Sequence, residues 1–327
     1  MKFGPSKKRG QGKEREPAVL KVPDWKQYSW LVHGFSTRQA GVSTIYGRGA
    51  GCGELNLGFT STDSRENVTK NRQLFLEAVL APEWKASRKS AQRSLQSTRK
   101  SPLSLRVLHQ IHSGLVHHLA ARADEDLSLP ASESLPRGDG AIAAEPGIVL
   151  GILTADCIPV LVADVRQRIV GAFHAGWRGT LARVVERGVG RMRAEFGSQP
   201  DDLTSAIGPG IGRCCYSVGE EVRGEFRSQF GYADSLFEEV FDLDPIKEKY
   251  PMLFLTARAP GHSNLGPSLH LDLPEANRRQ LLAAGLRPEA IHALGFCTAC
   301  DPKRFFSHRA EHGFTGRMLS VIGVRPI

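Results

Sequence analysis

Residues 147–181, GIVLGILTADCIPVLVADVRQRIVGAFHAGWRGTL, decide the fold. They contain three apolar runs, at 147–155, 158–164 and 168–175. Continuous apolar runs of this length are typical of buried strands. Beyond them, apolar residues recur at helical spacing over 181–196, which predicts an amphipathic helix packed against those strands. Strands followed directly by such a helix favour a fold of mixed α and β elements.

The rest of the chain repeats this mixture of elements. Apolar spacing predicts helices over 66–80, from about 222 to 230 and over 274–285, and a further strand over 318–324. No internal repeat is visible. We therefore predict one compact domain of α/β (mixed α+β) class over residues 18–327, with mixed sheets flanked by helices.

The positive charge of the chain is concentrated in two segments. The 327 residues carry a net charge of +9, with +5 in residues 1–21 and +7 in residues 85–106. Both segments lack apolar periodicity, so we predict a disordered basic tail at 1–17 and a basic, serine-rich insertion at about 86–104. Neither segment interleaves its charge with stacking aromatic residues, which disfavours nucleic acid as a partner.

Composition also restricts the cellular setting. No apolar stretch is long enough to span a membrane, and the first twenty residues lack the apolar core of a secretory signal. The chain has 6 cysteines, none in the spacing of a four-cysteine zinc ribbon, because the CxxC at 297–300 has no second CxxC. We expect a cytoplasmic protein with reduced thiols and no membrane partner.

Cys157 and His174 flank two of the apolar runs. If those runs form a hairpin that turns within 164–168, the two residues lie opposite each other at its open end. A thiolate and an imidazole so placed form a nucleophile–base pair or bind a soft metal. A buried cysteine beside an unrelated histidine fits the spacing equally well.

Two neighbouring motifs add candidates. In HAGWRG (174–179), an arginine lies where a strand passes into a helix, which suits an anion such as phosphate or is simply a connecting turn. In LHQIHSG (108–114), His109 and His112 face opposite sides if the segment is a strand and share a face if it is a helix. A structural histidine remains an alternative for this segment.

Several blocks together resemble the laccase-domain family, whose YfiH-like members are called multicopper polyphenol oxidoreductases or purine nucleoside phosphorylases. The similarity runs from about residue 30 to 324. The blocks are HGFSTRQAGVS (33–43), QIHSG (110–114), TADCIPVLVAD (154–164), VGAFHAGWRGTL (170–181), IGPGIGRCCYSVGEEV (207–222), CTACDPKRFFSHR (297–309) and TGRM (315–318).

The resemblance implies a YfiH-like fold and a metal site. Zinc, or copper as the alternative, would bind to His112, Cys157 and His174, and three protein ligands leave an open position of the catalytic kind. The implied reactions are phosphorolysis of adenosine, inosine, guanosine and S-methyl-5'-thioadenosine, and deamination of adenosine. Purine nucleosides and phosphate are then the expected partners.

Catalytic roles follow from these reactions. Asp156 and Cys157 are the candidate catalytic residues, with Asp156 moving protons. Phosphorolysis requires an anion site, for which we select Arg38 and Arg178. Asp139 matches a family element and is expected near the pocket.

Other readings stay open. A copper-dependent polyphenol oxidase of laccase type is the second hypothesis, although no HxH pair is present in the sequence. A cell-wall-editing role, associated with some relatives, is the third. Cys297 and Cys300 suggest either redox chemistry or a scaffold near the site, and Cys214 and Cys215 are expected to be structural.

Overall fold

Two central β-sheets organise the protein. The computed structural model describes residues 18–47, 53–91, 103–120, 135–241 and 267–326. The predicted tail at 1–17 and most of the predicted insertion lie outside the described residues. The described strands are β1 (Val19–Leu20), β2 (Leu31–Ser36), β3 (Gln39–Ser43), β4 (Ser104–Val107), β5 (Val116–His118), β6 (Gly140–Ala143), β7 (Ile148–Thr154), β8 (Ile158–Asp164), β9 (Ile169–Ala175), β10 (Leu203–Ile207), β11 (Ser217–Val218), β12 (Phe237–Val240), β13 (Ser268–Leu271), β14 (Ile291–Ala293) and β15 (Met318–Val324). The described α-helices are α1 (Arg65–Ala91), α2 (Trp177–Leu181), α3 (Val184–Phe196), α4 (Glu220–Gln229) and α5 (Leu273–Ala283).

The strands form sheets in which parallel and antiparallel neighbours are mixed. One five-stranded sheet has the order β1-β2-β15-β7-β4, and one six-stranded sheet has the order β14-β10-β8-β9-β6-β5. A small third sheet has the order β11-β13-β12. The predicted mixed α/β class, with mixed sheets flanked by helices, is confirmed.

The two larger sheets pack face to face, and helices cover their outer faces. Because side chains alternate along a strand, Leu150 of β7 packs in the cluster between the sheets while its neighbour Val149 packs with Phe75 of α1. In the same way, Leu161 of β8 lies between the sheets and Val160 packs toward α3, α4 and α5. Both faces of each sheet are therefore buried, which explains why these strands are apolar runs. No helix among the described residues is long and apolar enough to cross a membrane.

The predicted hairpin forms, but its register differs from the prediction. β8 and β9 are antiparallel, with Pro159 opposite His174, so Cys157 lies beyond the last strand pair and not opposite His174. The turn is longer than predicted because Arg168 has a left-handed φ of 61° and β9 begins only at the next residue. Asp164 holds this turn through the N–H groups that follow it.

Two predicted helices also differ in extent. The helix expected over 181–196 begins only at Val184, as α3, because Arg183 before it has a left-handed φ of 56° and Leu181 ends the separate helix α2. Helix α1 continues to Ala91, beyond the predicted end at residue 80. The division of α2 from α3 matters for the site, since α2 begins directly after the strand that carries His174.

Candidate functional site

His112, Cys157 and His174 come together at the end of the β8–β9 hairpin. One donor atom from each of the three lies within 4.8 Å of the others. Cys157 Sγ is 3.8 Å from His112 Nε2, and the two imidazole rings meet edge to face at a centroid distance of 4.9 Å. His174 is buried, Cys157 is half-buried and His112 is exposed. The group is therefore open to solvent on the His112 side.

The backbone around this group is constrained on two sides. Asp156, next to Cys157, has a φ of 92°, and His112 has a φ of 59°, both in the left-handed region. Gly176 is packed so closely that a Cβ there would lie 3.0 Å from both Cys157 Sγ and His112 Cδ2. Only a glycine leaves room for the sulfur and the ring at their present positions.

Asp139 binds both the His174 ring and the His112 backbone. Its side chain is fully buried, and its Oδ1 accepts hydrogen bonds from His174 Nδ1 at 2.8 Å and from the His112 backbone N–H at 2.9 Å. Its Oδ2 accepts from both the N–H and the hydroxyl of Ser113. Burial alone would raise the pKa of Asp139, but hydrogen bonds from His174 and Ser113 lower it to about 2. With Nδ1 engaged, His174 presents Nε2 to the thiolate, as metal-bound histidines do.

The Cys157 thiol and the His174 imidazole stabilise each other's charged forms. Burial raises the pKa of Cys157, but the charge of His174 and hydrogen bonds from both histidines lower it to about 6. Burial lowers the pKa of His174, yet the Cys157 thiolate and the bond to Asp139 raise it to about 9. These opposite shifts favour the charged thiolate–imidazolium form of the pair in the absence of a metal.

Asp156 anchors the carboxyl-terminal part of the chain beside Cys157. It is 8% exposed, and its two carboxylate oxygens accept from Thr298 Oγ1 at 2.6 Å and from the Arg309 N–H at 2.7 Å. Its carbonyl accepts from the Ile211 N–H at 2.7 Å. Asp156 thus joins two loops to the site, and proton transfer by its side chain stays a prediction.

Arg38 lies in a buried ion-pair cluster. It is 5% exposed, and its guanidinium pairs with Glu54 at 2.6 Å and Glu311 at 2.9 Å. It also donates to the Pro302 carbonyl and lies 4.5 Å from the Phe306 ring centroid. These contacts give Arg38 protein partners in place of an open face toward a substrate. We therefore leave it out of the anion site proposed below.

Arg178, Arg309 and Tyr216 lie around the open side, and of these only Tyr216 was not considered from the sequence. Arg178 is exposed and stacks on Trp177 at 4.3 Å from the ring centroid. Burial and the charge of Cys157 raise the pKa of Tyr216 to about 12, while Arg309 and Arg178 oppose this rise. The Arg309 guanidinium lies 5.4 Å from the centroid of the Tyr216 ring. Arg309 holds the Ser217 backbone carbonyl and hydroxyl at 2.9 and 2.8 Å.

A family model described as multi-copper polyphenol oxidoreductase laccase matches residues 32–325. The fold and the His/Cys group define a laccase-like domain, and the chain belongs to this family. It is 29% identical over 313 residues to the purine nucleoside phosphorylase YlmD of Bacillus subtilis, covering 94% of this chain and 95% of the relative. It is 34% identical over 293 residues to a purine nucleoside phosphorylase of Deinococcus radiodurans, covering 89% and 88% of the two chains. The crystal structure of YlmD from Geobacillus stearothermophilus superimposes with a TM-score of 0.69 at 27% identity, covering 97% of this chain and 98% of that one.

Proposed function

We propose that this protein is a zinc-dependent purine nucleoside enzyme. Its reactions are phosphorolysis of adenosine, inosine, guanosine and S-methyl-5'-thioadenosine, and deamination of adenosine. The observation that carries the proposal is the open group of His112, Cys157 and His174 with Asp139 behind it. The names of the similar proteins support purine nucleoside phosphorolysis.

The donor set fits zinc. Two imidazoles and one thiolate are ligands that Zn²⁺ accepts, and three protein ligands leave one position open, as in catalytic zinc sites. His174 has its Nδ1 fixed by a buried carboxylate, which leaves the Nε2 lone pair for the metal. When bound, zinc supplies a Lewis acid that polarises oxygen and lowers the pKa of a water molecule toward neutrality.

The side chains around the open side suit the two substrates. Arg178 and Arg309 place positive charge beside Tyr216, and guanidinium groups are well shaped to bind phosphate oxygens. The Tyr216 ring gives a flat surface suited to a purine base. Asp156, next to Cys157, is the group we assign to proton transfer, and its bonds to Thr298 and Arg309 hold it in place.

The test combines metal analysis with a product assay. We expect the purified protein to contain zinc and to convert adenosine to adenine and ribose 1-phosphate only when phosphate is present. Inosine formed without phosphate reports deamination. Cys157→Ala should lose zinc from this site and both activities, because it removes the charged ligand.

His109→Ala is the matched control. His109 is exposed, and its backbone bonds to the segment around Arg137, so replacement of its side chain should leave the site intact. Full activity in Cys157→Ala would contradict the proposal. So would the absence of nucleoside turnover in wild-type protein that holds zinc at this site.

A copper-dependent polyphenol oxidase is the second candidate. The description of the family model names this activity, and two histidines with one cysteine are also the trigonal ligand set of blue-copper sites. Copper in place of zinc, with oxidation of phenols and no nucleoside turnover, would select this candidate.

A further inference from the structure

Four cysteines from two separate loops meet beside the site. Cys214 and Cys215 lie in the loop between β10 and β11, and Cys297 and Cys300 lie in the loop after β14. The four sulfur atoms all lie within 4.8 Å of one another. Cys300 Sγ is 3.3 Å from Cys214 Sγ and 3.4 Å from Cys215 Sγ.

The fold itself brings these loops together. β10 and β14 are parallel neighbours at the edge of the six-stranded sheet, so the chain leaves both strands in the same direction. The pairing continues past the strands as a bridge between Gly210 and Cys297. The juxtaposition of the cysteines is thus a product of sheet topology.

The sulfur geometry fits a tetrahedral metal. Zn–S bonds of about 2.3 Å place neighbouring sulfurs of a tetrahedral site roughly 3.8 Å apart. A disulfide needs about 2.05 Å. The separations given above are too long for a covalent bond and close to the edge of the tetrahedron. The Gly212 N–H also donates to Cys297 Sγ at 3.2 Å, a bond that stabilises a thiolate ligand.

We propose that Cys214, Cys215, Cys297 and Cys300 bind a second zinc ion as a closed structural site. Four thiolates in a tetrahedral arrangement select zinc or iron, and zinc is the ion that needs no redox partner. This proposal is independent of the proposed function, because it uses none of the residues assigned to the nucleoside reactions.

A metal at the four cysteines would stabilise the loops on one side of the His112–Cys157–His174 site. Thr298, between two of the cysteines, donates its hydroxyl to Asp156 and its N–H to the Gly210 carbonyl. Tyr216 directly follows Cys215. A metal that joins the two loops therefore fixes Thr298 and Tyr216 on either side of Asp156. Loss of this metal should loosen these contacts and raise KM for nucleosides, while the metal at Cys157 stays bound.

The experiment counts metal ions in reduced protein purified under metal-controlled conditions. We expect two zinc ions per chain in the wild type. Cys300→Ser should lose one, and Cys157→Ser should lose the other, so that each variant retains one. In Cys157→Ser loaded with Co²⁺, the absorption spectrum should show the strong sulfur-to-metal bands of a tetrathiolate site.

Cys157→Ser decides the question even if Cys300→Ser is insoluble. A Cys157→Ser protein without bound metal overturns the proposal. So does a Cys300→Ser protein that holds as much metal as the wild type, or a wild-type protein that holds iron in place of zinc. A disulfide among the four cysteines in anaerobically prepared protein, detected by peptide mass after thiol alkylation, also overturns it.

Discussion

Replacing Asp139 by Asn should weaken the fold and the metal site together. The carboxylate offers only acceptors to the donors of His174, His112 and Ser113. An amide of the same size keeps one acceptor oxygen and turns an NH₂ group toward donors that then lack a partner. Because the side chain is fully buried, water does not replace the lost bonds.

The size of the effect follows from the pKa of Asp139. The pKa falls from 3.8 to about 2, which corresponds to about 2.5 kcal/mol of preference for the charged carboxylate in the folded protein. Unsatisfied buried donors cost about 1–3 kcal/mol. We therefore expect Asp139→Asn to lower the free energy of unfolding by roughly 2–4 kcal/mol. Loss of the partner of His174 should reduce zinc affinity by about 10–100-fold.

Asp164→Asn is the matched control for this experiment. Asp164 is also fully buried, and it accepts hydrogen bonds from the turn between β8 and β9, at the far end of the hairpin. Urea unfolding of the metal-free proteins measures stability, and competition with a chelator measures zinc affinity. Asp164→Asn should lose stability and keep its zinc affinity. Equal zinc affinity in wild type and Asp139→Asn would refute the reasoning.

Four further outcomes are expected. Gly176→Ala should weaken zinc binding, because its Cβ would press against Cys157 Sγ and the His112 ring. Gly190→Ala, in helix α3 with open space around it, should keep its zinc affinity and gain about 0.5–1 kcal/mol of stability. Equal zinc affinity in the two variants would contradict the packing argument. Burial, with the nearby charge of Lys21, lowers the pKa of His33 from 6.5 to about 4. As the pH falls, the unfolded chain therefore takes up this proton before the folded protein does. The free energy of unfolding should then fall by up to about 3 kcal/mol between pH 6.5 and 4. His33→Gln should flatten that part of the stability–pH curve measured by urea unfolding, and an unchanged curve would exclude His33 as its source. Asp156→Asn should keep zinc and lower kcat for deamination, with the pH profile of kcat separating proton transfer from a purely structural role. Arg178→Gln should raise KM for phosphate and leave deamination unchanged, and an unaltered phosphate KM would remove Arg178 from the anion site.

The sequence was sufficient for the elements that are buried on both faces. The runs at 158–164 and 318–324 are strands with those bounds. A strand that is buried on both faces needs apolar side chains at every position, so an unbroken apolar run predicts it directly. The hairpin register was wrong because it depended on one residue, Arg168, whose left-handed backbone lengthens the turn. Local conformations of this kind are poorly encoded by residue type when the residue is not glycine.

The site was only partly predictable for a different reason. His112 was treated as a strand or helix residue, but it lies in a loop whose shape is set by Asp139, 27 positions away. The four cysteines were dismissed as a metal site because only one CxxC is present. The missing half is the adjacent pair Cys214–Cys215, which sheet topology brings to Cys300 across 85 and 86 positions. Spacing rules describe ligands that lie close in sequence, and they cannot detect ligands joined by neighbouring strands.

The three proposed ligands are held with unequal rigidity, and this inequality determines how the site can respond. His174 lies on β9 within the six-stranded sheet and is buried, whereas His112 is exposed in a loop. The Asp139 carboxylate connects the two histidines, because it bonds to the ring of His174 and to the backbone N–H of His112. Hydrogen bonds from His174 and Ser113 lower the pKa of Asp139 to about 2, so the carboxylate stays charged and the connection is kept near neutral pH. We therefore predict that, of the three proposed ligands, the His112 ring is the one that turns about its own side-chain bonds when metal or substrate binds, while the loop backbone and the other two donors stay in place.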